Sequence, residues 1–281
     1  MELFTKILRS QISIVNKLAD VCSIEKSRIF QNKIGSFMAH EYQSDVTYHS
    51  IESVDFQAEY IIPKKLNNNG IILYLHGGGY ISGGIQYARG FGTSLAAQNN
   101  IKVCSVAYRL APEYEFPAAL EDAVSAYCYL IDNGYSSENI VLCGESAGGG
   151  LVFALTLKLK EKHIPMPCGI IAVSPWCDLS MSGISYETNY EKDPSITKKR
   201  LDFYAQCYTK QINSPFVSPV LGDLTGFPPS LIFVGGDEIM LSDSICINEK
   251  LCKSGCKSYL HIAPDMWHIY LLYGIKEAKM I

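Results

Sequence analysis

The stretch VLCGESAGGGLVFALTLKL, residues 141–159, decides how this chain folds. Val141, Leu142 and Cys143 form a short apolar run suited to a buried strand, and residues 147–159 read as the helix that leaves it. Between them Gly144, Glu145, Ser146, Ala147 and Gly148 fit G-x-S-x-G. That pattern packs a serine onto a sharp turn from strand to helix, with a glycine on either side to relieve crowding. Alone it carries little weight in a chain with 22 glycines; the strand before it and the helix after it give it meaning. Gly148, Gly149 and Gly150 let the helix start close to a sheet. Ser146 then sits at the positive helix end, where a developing anion is favoured.

Outward from this turn the same alternation recurs. Apolar runs at 56–62, 71–76, 102–107, 139–144, 169–174, 230–235 and 257–262 predict strands. Stretches at 87–98, 117–133, 147–161, 241–253 and 268–279 predict helices among them. The fold class is therefore α/β, a mostly parallel central sheet with helices on both faces. Residues 181–229 break the rhythm, placing roughly fifty residues and a helix-like piece at 197–210 between two strands; an insertion of that length usually serves as a lid or binding element. Near the N-terminus Leu3, Phe4, Ile7, Leu8, Ile14, Val15 and Leu18 fall on one stripe at helical spacing. The stripe predicts an amphipathic helix packed on its own domain rather than on a membrane surface.

Composition bounds the function classes. Hydrophobic residues make up 48% of the 281 and charged residues 19%, enough apolar matter for a large core and too little charge for a disordered chain. The net charge of −4 comes without a lysine or arginine block, which speaks against a nucleic-acid partner. No apolar run approaches the ~18–20 residues of a membrane span. Residues 1–20 are interrupted by Lys6, Arg9, Gln11 and Lys17, so they lack the apolar core of a secretory signal, and a cytoplasmic location is expected. The ten cysteines, scattered through apolar runs, read as reduced core thiols. Cys252, Cys256 and His261 lack a fourth ligand for a metal.

A second glycine run carries chemistry. His76-Gly77-Gly78-Gly79 follows the strand at 71–76 and exposes backbone N–H groups without side chains in the way, as a tetrahedral oxyanion requires. A serine nucleophile also needs a base and a group to orient it. Of six histidines, His268 lies in a loop after the final strand and is last in the order Ser, acid, His expected of this architecture. The acid lies in the cluster Asp237, Glu238, Asp243 after the strand at 230–235, and spacing alone does not choose among them.

These residues resemble the hormone-sensitive-lipase-like carboxylesterases of the α/β-hydrolase superfamily. The resemblance runs from about Gly70 onward through HGGGY (76–80), YRLAPEYEFPAALEDA (108–123), GESAGGG (144–150), SPWCDLS (174–180), SPVLGDLTGFPPSLIFVGGDEIMLSDS (218–244) and DMWH (265–268). It implies Ser146 as nucleophile, His268 as base, and the N–H groups of Gly78, Gly79 and Ala147 as the oxyanion hole. Matching the family's second acidic residue to Asp243 makes Glu238 the triad acid rather than Asp237. Tyr108, Arg109, Pro112 and Glu113 look structural in that family. Many relatives carry Asp where this chain has Glu145 and where it has Ala107.

The resemblance also implies a cap from residues 1–44 and 181–215 over a core of 45–180 and 216–281. The expected activity is hydrolysis of a small ester, without cofactor, metal or stable membrane insertion, and a homodimer is left open. The rivals are a non-catalytic binder, a lipase, a lactonase or a sugar-ester deacetylase.

Overall fold

The computed structural model describes residues 3–19, 23–53, 56–67 and 69–279. Eight strands form one sheet: β1 (Val46–Ile51), β2 (Gln57–Pro63), β3 (Ile71–Leu75), β4 (Lys102–Ala107), β5 (Ile140–Glu145), β6 (Gly169–Val173), β7 (Ser230–Gly235) and β8 (Ser258–Ala263). Their spatial order is β1-β2-β4-β3-β5-β6-β7-β8. The first two join antiparallel and the rest run parallel. The long helices are α1 (Leu3–Ala19), α2 (Ile24–His40), α3 (Ile85–Asn99), α4 (Ala118–Asp132) and α5 (Ala147–Glu161), followed by short α6 (Ser185–Thr188), then α7 (Lys198–Tyr208), α8 (Leu241–Lys253) and short α9 (Lys276–Lys279).

Alternation along a strand sorts its residues between two cores. Ile71, Leu73 and Leu75 enter a core shared with α4, α5 and α8, while Ile72 and Tyr74 enter a smaller one against α3. Both faces are covered, which is why β3 is apolar throughout. Leu75 pairs with Gly144, Glu145 with Val173, and Val173 with Phe233. The loops after β3, β5, β6 and β7 therefore leave the sheet side by side at its carboxyl edge, where α/β sheets bind their ligands.

Four sequence expectations need correction. Residues 268–279 do not form one helix: Ile269 (φ 53°) and Gly274 (φ 61°) adopt left-handed backbone and leave a 3₁₀ turn at Tyr270–Tyr273 before α9. Strand β1 and helix α2 were not anticipated; α2 buries only Gly35 and Ala39 and turns Ile29, Phe30 and Phe37 outward, so it has no inward apolar stripe to read. The cysteines are free among the described residues, yet Cys168, Cys246 and Cys252 are exposed rather than in the core, and Cys22 lies outside those residues. Helix α1 does lie on the body, but not through its stripe. Thr5, Arg9 and Asn16 face inward with Leu8 and Ile12, while Leu3, Phe4, Ile7, Ile14 and Val15 face solvent; the Leu18 side chain is outside what is described.

Polar contacts make that possible. Arg9 pairs with Asp237 at 2.8 Å, donates to the carbonyl of Asp265 at 2.8 Å and bonds that of Lys192. Arg200 of α7 bonds the side chain of Asn16 and, at 2.7 Å, its carbonyl. From α2, Arg28 reaches the carbonyls of Ile81 (2.8 Å) and Ala111 (2.9 Å) and forks onto Glu113, whose carboxyl it holds down at about 2.

Helix α5 starts hard against the sheet. A Cβ on Gly148 would lie 2.0 Å from the Leu75 carbonyl oxygen, and one on Gly150 would lie 2.0 Å from that of Trp176. Gly148→Ala should therefore lower the free energy of unfolding by about 2–3 kcal/mol, as overpacking does, despite alanine's better helix propensity. A denaturant midpoint equal to or above wild type would count against this close approach.

Candidate active site

Ser146 occupies the turn between β5 and α5 with φ 55° and ψ −122°, a conformation non-glycine residues rarely adopt. Its backbone is fully engaged. The N–H donates to Val173 O at 2.9 Å, and the carbonyl accepts from Gly150 and Trp176, each at 3.0 Å. His268 Nε2 lies 2.9 Å from Ser146 Oγ, and its Nδ1 lies 3.0 Å from Glu238 Oε2. All three residues are buried.

Of the three acids in the cluster, Glu238 is the one that meets the histidine. Its second oxygen accepts from Ser174 Oγ at 2.6 Å and from Gly235 N–H at 2.5 Å. Ser174 Oγ in turn accepts the N–H of Ile269, so one hydroxyl ties the acid to the loop that carries the base. Asp237 points away to Arg9. Asp243, the first-turn acid of α8, accepts the N–H groups of Cys177 (2.9 Å) and Asp178 (2.8 Å), and burial pushes its carboxyl up to about 8.

The glycine loop after β3 stands against the elbow. A Cβ on Gly77 would lie 3.0 Å from Ser146 Cβ. Gly78 (φ 111°) and Gly79 (φ 63°) hold left-handed backbone, and among the described residues neither N–H is used in a backbone hydrogen bond. Tyr204 of α7 covers this loop, since a Cβ on Gly79 would meet its ring at 2.1 Å. Glu145 joins loop to elbow: Gly77 N–H donates to one of its oxygens at 2.5 Å and Tyr74 O–H to the other at 2.7 Å. Burial outweighs these bonds and pushes the Glu145 carboxyl up to about 7. His76 is buried and stacked on Tyr108 at 4.3 Å, and its Nδ1–H donates to Gly77 O at 2.6 Å. Burial pushes it down to about 4, so near neutral pH it is an uncharged prop.

The electrostatics at His268 oppose each other. Burial disfavours the imidazolium, but the bond to Glu238, helped by the charges of Asp193 and Glu145, outweighs it and raises His268 above the ordinary imidazole value. Asp193 comes from the insertion. It is buried, takes the N–H (3.0 Å) and hydroxyl (2.6 Å) of Ser195 and accepts Ile239 N–H at 3.2 Å. Nearby, Asn189 donates to Gly236 O at 3.1 Å and Glu238 O at 2.8 Å.

Sequence reading missed Ser174, Asn189, Asp193 and Arg9 as parts of the site. Ser174 could have been found from register, because it follows β6 directly where the strand ends beside Glu145. Asn189, Asp193 and Arg9 lie in irregular or N-terminal segments whose placement no local pattern encodes. Among the described residues no group of three or more His, Cys, Asp or Glu is arranged to hold a metal.

A family model described as alpha/beta hydrolase fold matches residues 72–272. An acetyl-hydrolase of Streptomyces hygroscopicus is 34% identical over 218 residues, covering 77% of this chain and 73% of its own. An esterase of Acinetobacter venetianus is 33% identical over 214 residues, 74% of this chain and 71% of its own. Among solved structures, that of EstE5 soaked with p-nitrophenyl butyrate superposes with a TM-score of 0.91 at 30% identity, covering 100% of this chain and 95% of that one. An esterase from the bacterial hormone-sensitive lipase family gives a TM-score of 0.89 at 31% identity, over 97% and 93%. The chain belongs to the α/β-hydrolase family, among the carboxylic ester hydrolases of its hormone-sensitive-lipase-like branch.

Proposed function

We propose that the protein is a serine carboxylesterase acting on short- to medium-chain esters through an acyl-enzyme. The observation that carries this is the single imidazole spanning Ser146 and Glu238 at 2.9 and 3.0 Å. Ser146 Oγ attacks the ester carbonyl as His268 Nε2 takes its proton. The tetrahedral oxyanion is held by the N–H groups of Gly78, Gly79 and Ala147 at the start of α5, and its collapse expels the alcohol, protonated by His268. Water, deprotonated by the same nitrogen, then frees the acid. Glu238 keeps the proton on Nδ1 so that Nε2 faces the serine, and stabilises the imidazolium once formed. Residues 1–44 and 181–215 act as the cap, and Asn189, Asp193 and Tyr204 are among the insertion's contributions to the site.

A non-catalytic binder is the weaker reading, because its site would have no need of a histidine held between serine and acid. Short acyl groups are favoured by the acetyl-hydrolase and the p-nitrophenyl butyrate soak among the relatives. Tyr204, pressed on the oxyanion loop, supports a pocket of limited depth.

Ser146→Ala should leave the fold intact and reduce kcat by about 10⁴-fold or more; a well-folded variant that turns over normally would end the serine mechanism. Glu238→Gln should depress kcat far more than Asp237→Asn, whose partner is Arg9. The reverse ranking, measured side by side, would move the acid role to Asp237.

His268 must be neutral to accept the proton, and it is raised in the fold. Activity is thus lost as pH falls, with a one-proton limb centred above the ~6.5 of free imidazole. Removing the negative charge in Glu238→Gln should shift that midpoint down. A rate flat from pH 5 to 8, about a unit and a half either side of that value, would remove histidine as the base. Across p-nitrophenyl esters kcat/KM should peak between roughly two and eight carbons and fall for palmitoyl, because each buried CH₂ adds about 0.8 kcal/mol only until the pocket is full. A rate that jumps on long-chain emulsions would point to a lipase instead.

A further inference from the structure

The two N-terminal helices turn large apolar side chains away from the body, and α1 holds the body mainly by its polar side. Thr5 and Asn16 are buried, Arg9 is spent on Asp237 and two carbonyls, and only Leu8 and Ile12 join the apolar cluster around Trp267 and Tyr270. On the opposite arc of α1, Leu3 is 75% exposed, Phe4 65%, Ile7 50% and Ile14 62%. Helix α2 repeats the arrangement, with Ile29, Phe30 and Ile34 exposed. Large side chains left in water at this density mark an interaction surface.

The charges carried by these two helices are predominantly of one sign. The two helices contain Lys6, Arg9, Lys17, Lys26, Arg28 and Lys33 against Glu25 alone, in a chain whose net charge is −4. Arg9 and Arg28 are turned inward onto Asp237 and Glu113, while Lys6, Lys26 and Lys33 are exposed. An exposed apolar arc with lysines beside it on α1 and among it on α2 can sink leucine and phenylalanine to the headgroup boundary while the ammonium groups reach up to phosphates. A second copy of the chain is a poorer fit, because a two-fold contact would set this face on itself and bring lysines against lysines. No helix among the described residues is long and apolar enough to cross a membrane, so contact through this face would be peripheral.

We propose that the outward faces of α1 and α2 dock on the surface of an anionic phospholipid bilayer. On the opposite, inward side of α1, Arg9 ties the helix to the Asp237 turn and the Asp265 loop, so docking would hold the carboxyl edge of the sheet, where Ser146 lies, beside the lipid.

The test is flotation of the full chain with vesicles of pure phosphatidylcholine or of phosphatidylcholine mixed with phosphatidylglycerol. The protein should float only with the anionic vesicles and be released as salt rises from about 0.15 M to about 1 M, because surface charges are screened. Lys6→Glu combined with Lys26→Glu should weaken binding by about tenfold or more, and Phe4→Ser with Ile7→Ser should do the same, with circular dichroism confirming that each variant is folded. Failure of folded wild-type protein to float with anionic vesicles would overturn the proposal, as would equal binding to both vesicle types. It would also fall if light scattering showed a dimer that Phe4→Ser dissolves, since the face would then belong to a second copy. None of these readouts uses hydrolysis, so the result is separable from the esterase reading.

Discussion

The carbonyl oxygens of Leu75 and His76 lie where side chains at position 148 would begin, 2.0 and 2.4 Å from a Cβ placed there. Glycine at 148 lets α5 come this near to the end of β3, and the neighbouring glycines do the same toward Pro175 and Trp176. The consequences spread outward from this contact. The Ser146 carbonyl meets the N–H of Trp176, Glu145 reaches Gly77, and the loop after β6 lies where Ser174 can bind Glu238. Through Glu238 and the N–H of Ile269 the chain of bonds arrives at His268. A side chain at 148 would push on every one of these.

Around His268 the protein buries Glu145, Asp193 and Glu238 within a short span. Burying carboxyl groups is unfavourable unless hydrogen bonds replace water. Glu238 is fed by Ser174 and Gly235, Asp193 by Ser195 and Ile239, Glu145 by Tyr74 and Gly77. The arrangement favours a positive imidazole at the centre, which suits a group proposed to hold a proton for part of each cycle. Gly235, Ile239, Gly77 and Ser195 all donate backbone N–H groups here, so the charges are set by the path of the main chain as much as by side-chain choice.

The parallel core was legible because buried strands are written as apolar runs and glycines punctuate them. Strands β4 and β7 and helices α5 and α8 fall where the runs begin and end. What escaped was structure held by polar contacts. Helix α2 grips through Arg28 and two small residues, and nothing in a hydrophobic pattern reports an arginine that will find the carbonyls of Ile81 and Ala111. In α1 the apolar period was plain and the direction of the face was not, since period says that two sides differ without saying which one meets the body. Asp237 and Glu238 were indistinguishable by spacing for a similar reason. Adjacent residues in a turn diverge, and only the positions of Arg9 and His268 decide which carboxylate each receives.

Arg9 meets Asp265 across 256 positions of chain, and Asn16 meets Arg200 across 184. During synthesis at roughly 5–20 residues per second, α1 waits tens of seconds for these partners, which are not yet made. In that interval α2 and α3, close in sequence, can already pack, whereas α1 has only its own turns. Whatever escorts the nascent chain during that interval meets an amphipathic helix not yet anchored, because the Asp265 carbonyl that Arg9 will bind is 256 positions further along.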